Sequence, residues 1–474
     1  MTKTHFFSIL FLLPFLAFGQ KSIEWVTTTE KQPWFPQQRL SSATPQTNAD
    51  VVVMTDTNLQ VIEGFGGCFN ELGWTSLGAL KQTDKYNILK ELFAPNVGAN
   101  FTICRMPVGA NDFSLDWYSY NETAGDFKMK NFSISNDMKT LVPFVKAALE
   151  QNPSLRLWAS PWSPPAWMKW NKHYACAATS AKMDKKFQNG LGIDRQGKEG
   201  TNMFIQEKAY FKAYALYFSK FIKAYREQGI NISTIMPQNE FNSCQIFPSC
   251  TWTASGLATF IGSYLGPAMD KLKVEMMFGT MERPNEALVD TILQDPLAAP
   301  FIKGVGFQWA GKGAIAGIHQ RYPNLRLYQS EQECGDGKND WKYCCYTWEL
   351  MKHYISNGAN SYLYWNISLP EGGFSRWGWQ QNSLVTVDPL TKTYKYNHEY
   401  YLLKHLSHYV KPGARVLKTE GTFNNLLAFK NSDSTIVLVA QNETALEKSV
   451  VFGVGPDQVK VTLPANSFNT LVVK

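Results

Sequence analysis

Two glutamates stand where a short apolar run gives way to polar loop residues. Glu240 closes Ile235-Met236-Pro237-Gln238-Asn239-Glu240, after a β-branched and apolar stretch (Ile230, Ile232, Thr234, Ile235, Met236) that stops at Pro237. A strand leaving a sheet ends in this way. Glu331 closes Leu325-Arg326-Leu327-Tyr328-Gln329-Ser330-Glu331. Alternation puts Leu325, Leu327, Gln329 and Glu331 on one side of that strand, and Glu333, beside Cys334, is the competing carboxylate. Two carboxyl groups at one rim suit cleavage of a glycosidic bond. One protonates the leaving oxygen while the other attacks the anomeric carbon.

Other apolar runs end in residues with equally specific chemistry. Gly64-Phe65-Gly66-Gly67-Cys68-Phe69-Asn70-Glu71 allows a tight turn and close backbone approach, but no Lys-Ser/Thr follows to make it a phosphate loop. Arg105-Met106-Pro107-Val108-Gly109 leads into Asn111-Asp112-Phe113, and Trp158-Ala159-Ser160-Pro161-Trp162 is stiffened by Pro161, Pro164 and Pro165. Gln308-Trp309 and Trp365-Asn366 end two further runs. Glu63, Glu71 and Glu282 read as local caps or ion pairs.

The elements that must position these residues number eight. Short apolar strands are predicted at residues 62–65, 102–106, 155–160, 234–238, 273–278, 304–308, 325–330 and 361–365. They alternate with helical segments, which predicts repeated βα units. Eight such units predict a closed (β/α)8 TIM barrel, whose chemistry sits at the strands' C-terminal ends. The clearest helix is 207–228, with Phe211, Tyr214, Ala215, Phe218, Ile222 and Tyr225 on one face and Gly229 ending it. Residues 341–357 and 397–410 repeat the pattern less cleanly.

Period-two stretches flank the barrel, at 50–54 and 60–62 before it and at 435–440, 459–463 and 470–473 after it. The expected organisation is a leader over residues 1–20, N-terminal strands over 21–60, a barrel over 61–411 and an all-β sandwich module over 412–474. The N-terminal strands are expected to join that side domain, because a lone two- or three-stranded sheet is marginal.

Composition excludes several classes. Hydrophobic residues make up 44% of the 474, enough for a large core, and aromatics 14%, including 15 Trp and 21 Tyr. A net charge of +7 without a Lys/Arg run gives no nucleic-acid face. Lys3, the apolar run 6–18 and Gly19-Gln20 predict a cleaved signal peptide, too short to span a membrane. No Cys follows that run to take a lipid anchor, so a secreted or periplasmic protein is expected. The eight Cys form no C-x-x-C pair and no zinc spacing. Export permits disulfides, with Cys244 joined to Cys250 or Cys176 as a loop staple. Cys68 and Cys104 read as buried thiols. No metal, organic cofactor or obligate protein partner is implied.

Taken together, Gly64-Phe65-Gly66-Gly67, Arg105-Met106-Pro107-Val108-Gly109 with Asp112-Phe113, Ala159-Ser160-Pro161-Trp162-Ser163-Pro164, Gln238-Asn239-Glu240, Ser330-Glu331, and Trp365-Asn366 with Pro370-Glu371-Gly372-Gly373 resemble glycoside hydrolase family 30. The resemblance runs from about residue 60 to 415 in the same motif order and continues loosely into the β module. It implies a barrel with a β-sandwich side domain and retaining hydrolysis of β-glycosides, with glucosylceramide and β-1,6-glucan among the substrates. By the same resemblance, Glu240 is similar to the acid/base and Glu331 to the nucleophile. Asn239 is similar to the residue that contacts the sugar 2-hydroxyl. Asp112 and Trp162 resemble glucose-subsite residues, Trp365 a stacking floor, and Arg105 an arginine that orients the nucleophile. Trp309 joins them as a substrate-binding candidate. Gln308 departs from the pattern, since many relatives have His before the Trp.

The expected substrate is a β-glucan, with β-1,6-glucan favoured by the loop aromatics Trp117, Tyr118, Trp170, Trp252, Trp377 and Trp379. Glucosylceramide, xylan or another β-glycoside, and a non-catalytic carbohydrate-binding protein are the competing expectations.

Overall fold

A computed structural model describes residues 22–43 and 48–474. The leader expected over residues 1–20 lies outside them. Eight parallel strands close a barrel in chain order: Gly64–Cys68, Ile103–Pro107, Arg156–Ser160, Thr234–Ile235, Glu275–Met281, Ile302–Gln308, Arg326–Glu331 and Ala359–Asn366. The eighth pairs with the first, Ser361 opposite Gly64 and Asn366 opposite Cys68.

Three strands end about three residues from the sequence expectation; the fifth, expected over 273–278, runs on through Gly279 and Thr280 to Met281, and the other two differ for physical reasons. The first starts later and runs through its glycines instead of turning at them. Gly66 lies so close to the second strand that a Cβ there would stand 1.8 Å from the Ile103 carbonyl oxygen. The fourth strand has only two residues, Thr234–Ile235. Beyond it Pro237 has no N–H to give a ladder, and the Gln238 side chain donates to the Trp162 carbonyl at 2.6 Å. The backbone there is held by side chains and the neighbouring loop.

The helix Lys208–Glu227 buries Phe211, Tyr214, Ala215, Phe218, Ile222 and Tyr225 on the predicted face, together with Tyr217 and Phe221. Each large apolar side chain buried this way contributes ~1.5–3 kcal/mol. Gly229, at φ 77°, takes the left-handed turn after the helix.

Beside the barrel stands a ten-stranded antiparallel-dominated sheet. The N-terminal strand Ser22–Thr29 pairs with the C-terminal Ser467–Val473, and Val51–Val61 pairs with Arg415–Gly421. One face of this sheet has its own core around Val51, Leu438, Phe452 and Leu471, while Val416, Leu427, Phe429, Val437, Val439 and Phe468 join the barrel's core. A three-stranded sheet of Ser368–Pro370, Val385–Asp388 and Thr393–Tyr396, which the sequence pattern did not suggest, follows the eighth barrel strand. All eight cysteines are free thiols, Cys68 and Cys104 buried as expected and neither expected staple closed. Among the described residues no helix is long and apolar enough to cross a membrane, and no cluster of His, Cys, Asp and Glu could hold a metal.

Candidate active site

Arg105, fully buried in the middle of the second barrel strand, is the hub from which the site can be built. Its guanidinium donates to the Ser160 hydroxyl at 2.9 Å, to Asn239 Oδ1 at 2.6 Å and to Glu331 Oε2 at 2.7 Å. The indole of Trp162 lies under it at 4.3 Å, and Trp158 and Trp365 complete an aromatic collar. A planar cation fits this position because it donates along its edge and stacks on its face.

Glu331 ends the seventh strand and Glu240 follows the fourth. Glu240 sits in the left-handed region at φ 47°, where its N–H donates to Thr280 Oγ1 at 3.0 Å. Such a backbone persists for a non-glycine residue only when its surroundings fix it. Here the preceding Asn239 N–H also donates to the Pro161 carbonyl at 2.7 Å, which pins the turn.

The two carboxylates meet on a single nitrogen. Gln308 Nε2 lies 3.1 Å from Glu240 Oε1 and 3.1 Å from Glu331 Oε2. Those oxygens therefore stand no farther apart than twice that distance, compatible with the roughly 5–5.5 Å separation of retaining glycosidases. Gln308 was visible in the sequence only as a departure from the family pattern. Its place at the end of the sixth strand was the available signal.

The surroundings divide the pair. Burial raises both carboxyl groups above the usual range. Glu331 accepts from Arg105, Gln308 and the Trp309 indole (3.1 Å), which favour its ionised form. Glu240 is pushed well up by burial and then by the negative charge of Glu331, with Glu282 and Asp112 adding to it. Its Oε2 is buried and has no hydrogen-bond partner.

Around this pair lies a cavity of about 200 Å³ lined by Asp112, Trp162, Glu240, Gln245, Phe247, Glu282, Arg283, Trp309, Glu331, Trp379 and Gln381. Two further buried polar atoms on lining residues are unpartnered, Asp112 Oδ1 and Gln381 Nε2. Trp365 is not among the lining residues. It stacks on Trp162 at 5.1 Å and donates to Asp112 Oδ2 at 3.2 Å from behind. Asn239 and Arg105 likewise stand behind the wall, joined to each other. Glu333 is outside the cavity, paired with Lys312 at 2.7 Å.

Glu282, expected as a local ion pair, does pair with Arg283, yet both line the cavity. It directly follows the fifth strand, a position that marks it for the rim. Glu71 accepts from Leu115, Asn136 and Thr140, and Glu63 pairs with Arg156; neither lines the cavity. Of the six loop aromatics favouring a glucan, only Trp379 lines the cavity. Trp252 is buried in a stack with Phe204 at 4.5 Å, and Trp377 is buried against Trp117 at 4.7 Å.

A parallel barrel whose rim gathers two adjacent, unequally held carboxyl groups belongs among the O-glycosyl hydrolases. Residues 62–410 match the glycosyl hydrolase family 30 TIM-barrel domain and residues 413–471 the family's beta sandwich domain, so the chain belongs to glycosyl hydrolase family 30. It is 27% identical to the putative glucosylceramidase 1 of Caenorhabditis elegans, over 90% of this chain and 86% of that one. It is 24% identical to the endo-1,6-beta-D-glucanase neg1 of Aspergillus fumigatus, over 81% and 78%. Among solved structures, the endo-beta1,6-glucanase BT3312 shares the fold with a TM-score of 0.79 at 24% identity, covering 95% of this chain and 98% of that one.

Proposed function

We propose that this chain is an exported hydrolase of β-linked glucans, with β-1,6-glucan as the favoured substrate, acting with retention of anomeric configuration. Glu331, ionised and held by Arg105, attacks the anomeric carbon, and Glu240 gives its proton to the leaving oxygen. The C–O bond to the leaving group breaks as the glycosyl–Glu331 ester forms. Glu240 then removes a proton from water, which displaces Glu331 and restores both groups. Asp112 Oδ1 and Gln381 Nε2 bind hydroxyls of the sugar held in the cavity, and Trp162 faces its ring. Trp309 holds Glu331 by its indole N–H. Asn239 and Trp365 position Arg105 and Asp112.

The shared Gln308 nitrogen carries this reading, because it ties both carboxylates to one sugar-sized space. The cavity lining supports a sugar over a lipid. Glu282, Arg283 and Gln245 line the cavity together with Phe247 and Trp379, whose rings lie 6.1 Å apart. Charged groups and an aromatic platform suit hydroxyls and a pyranose face, whereas long alkyl chains would leave those charges desolvated. The apolar run 6–18 supports export.

The test is product analysis on a β-1,6-glucan and on a glucosyl lipid, with NMR following the first anomer released. Oligoglucosides released as the β-anomer are expected. Turnover of the lipid alone overturns the glucan assignment, and an α-anomer released first overturns the double displacement. On an aryl β-glucoside, Glu240→Gln should lose about 10²–10⁴-fold in rate; turnover equal to wild type removes Glu240 from its role.

A further inference from the structure

Two thiols from different loops, neither of them lining the cavity, meet beside Gln245. Cys176 lies in the long segment between the third and fourth barrel strands, and Cys244 lies four residues beyond Glu240. The Cys244 thiol hydrogen-bonds to the Cys176 sulfur. The two loops are already in register, since the N–H groups of Cys176 and Ala177 both donate to the Gln245 carbonyl, at 3.0 and 2.8 Å. Cys250, the other partner considered for Cys244, instead has its sulfur 3.9 Å from the Thr251 carbonyl.

The environment makes this pair reactive. Lys169 is fully buried, its ammonium enclosed by the carbonyls of Tyr174 (2.6 Å), Ser249 (2.6 Å) and Ala175 (3.3 Å). Among the described residues no ion pair includes it, so its charge acts on what lies near. Burial pushes the Cys176 thiol up. The Cys244 thiol and the Lys169 charge more than offset that and hold it at about 6. A thiolate is the nucleophile in disulfide exchange. Cys244 is half-exposed whereas Cys176 is buried, so one sulfur is open to an external reagent and the other is the internal nucleophile.

We propose that Cys176 and Cys244 are a redox-active pair that closes to a disulfide, stapling the loop after the third barrel strand to the loop that carries Gln245 and Phe247 into the cavity wall. The oxidant is a low-molecular-weight or protein disulfide. The Cys244 thiol is pushed up by its bond to Cys176, so Cys244 passes its proton to the Cys176 thiolate as it attacks one sulfur of the reagent, releasing a thiolate and forming a mixed disulfide. Cys176 then gives that proton to solvent and attacks the Cys244 sulfur, forming the Cys176–Cys244 bond and releasing the second thiolate. The pair gives up two electrons and one proton, and the two released thiolates take up that proton and one from solvent to become two thiols.

The experiment uses the full chain, reduced, freed of reductant and incubated with oxidised glutathione at pH 8. It is then alkylated under denaturing conditions and mapped by mass spectrometry without reduction. The expected map has a linked peptide pair carrying Cys176 and Cys244, and six alkylated cysteines instead of eight. The staple should raise Tm by roughly 3–8 °C over the reduced protein. Cys250→Ser should still form the link and Cys244→Ser should not. No link in the wild-type map, or a link from Cys244 to Cys250 there, overturns the assignment.

Discussion

Gln308 donates to both acidic groups with a side chain that carries no charge at any working pH. The pH profile therefore belongs to the carboxyl pair, with ionisation of Glu331 shaping the acid limb and deprotonation of Glu240 the alkaline limb. Gln308→Leu keeps the bulk and removes the donor. Donors favour the ionised form, so losing one raises the Glu331 pKa. The acid limb of kcat/KM should move to higher pH, with kcat falling roughly 10-fold or more for the loss of a charge-assisted bond. A profile measured on an aryl β-glucoside checks this, and an unmoved acid limb removes Gln308 from the positioning role. At this scale the sequence was legible where chemistry follows residue type, since Glu240, Glu331, Asp112 and Trp162 all line one cavity. The places of Gln308 and Gln381 in the site were not legible, because what a glutamine contacts is decided only by what folding brings to each end of its amide.

Between barrel strands, buried polar hubs hold the long loops. Asp137 accepts from the hydroxyls of Tyr118 and Tyr120, on the loop after the second strand, and of Tyr225, on the helix Lys208–Glu227. That loop also carries Asp112, so the hub fixes a wall of the cavity. Burial raises the Asp137 carboxyl to about 7, against the three tyrosine bonds that lower it. The folded chain thus keeps a proton that the unfolded chain has released above about pH 4. This contribution is full below the ordinary carboxyl pKa and is lost as pH rises to about 7. Asp137→Asn should flatten the fall in stability between pH 4 and 7, checked by urea midpoints across that range. An unchanged slope would assign the dependence elsewhere, for example to Glu399, which burial also raises to about 7. The eight strands were readable as apolar runs between polar segments, but the ends of the first, fourth and fifth were not, because glycines and a proline there change the pairing without changing the apolar pattern. The three-stranded sheet after the eighth strand was not, since Ser368–Pro370 and Thr393–Tyr396 are too short and mixed to stand out from loop.

The barrel and the sandwich behave as one body because they share a core. Phe429, Val437 and Phe468 of the sheet belong to the same buried cluster as the barrel's Phe65 and Leu363. His405, on the helix His398–Ser407, is fully buried between Thr470 Oγ1 and Thr28 Oγ1, each at 2.8 Å. The Thr470 hydroxyl is already given to the His405 carbonyl at 3.0 Å, so Nδ1–H donates to Thr470 and Nε2 accepts from Thr28. A chain ending at residue 411 would uncover that cluster and leave Ser22–Thr29 without its partner strand. It should aggregate, as read by size-exclusion chromatography and near-UV circular dichroism; a soluble, monomeric, cooperatively melting product would contradict the shared core. The two-layer organisation was legible from the change of period near residue 412. The extent of the joint was not, because a strand facing a second domain looks in sequence like one facing solvent that happens to be apolar.

The antiparallel pairing of Ile23 with Val473 has a consequence for how the molecule is made. The earliest described strand has only the short Phe35–Pro36 and Leu40–Ser41 beside it until Ser467–Val473 has been made. That seam can therefore close only after the whole barrel between its two strands has been synthesised, and the order of assembly runs from the barrel outward.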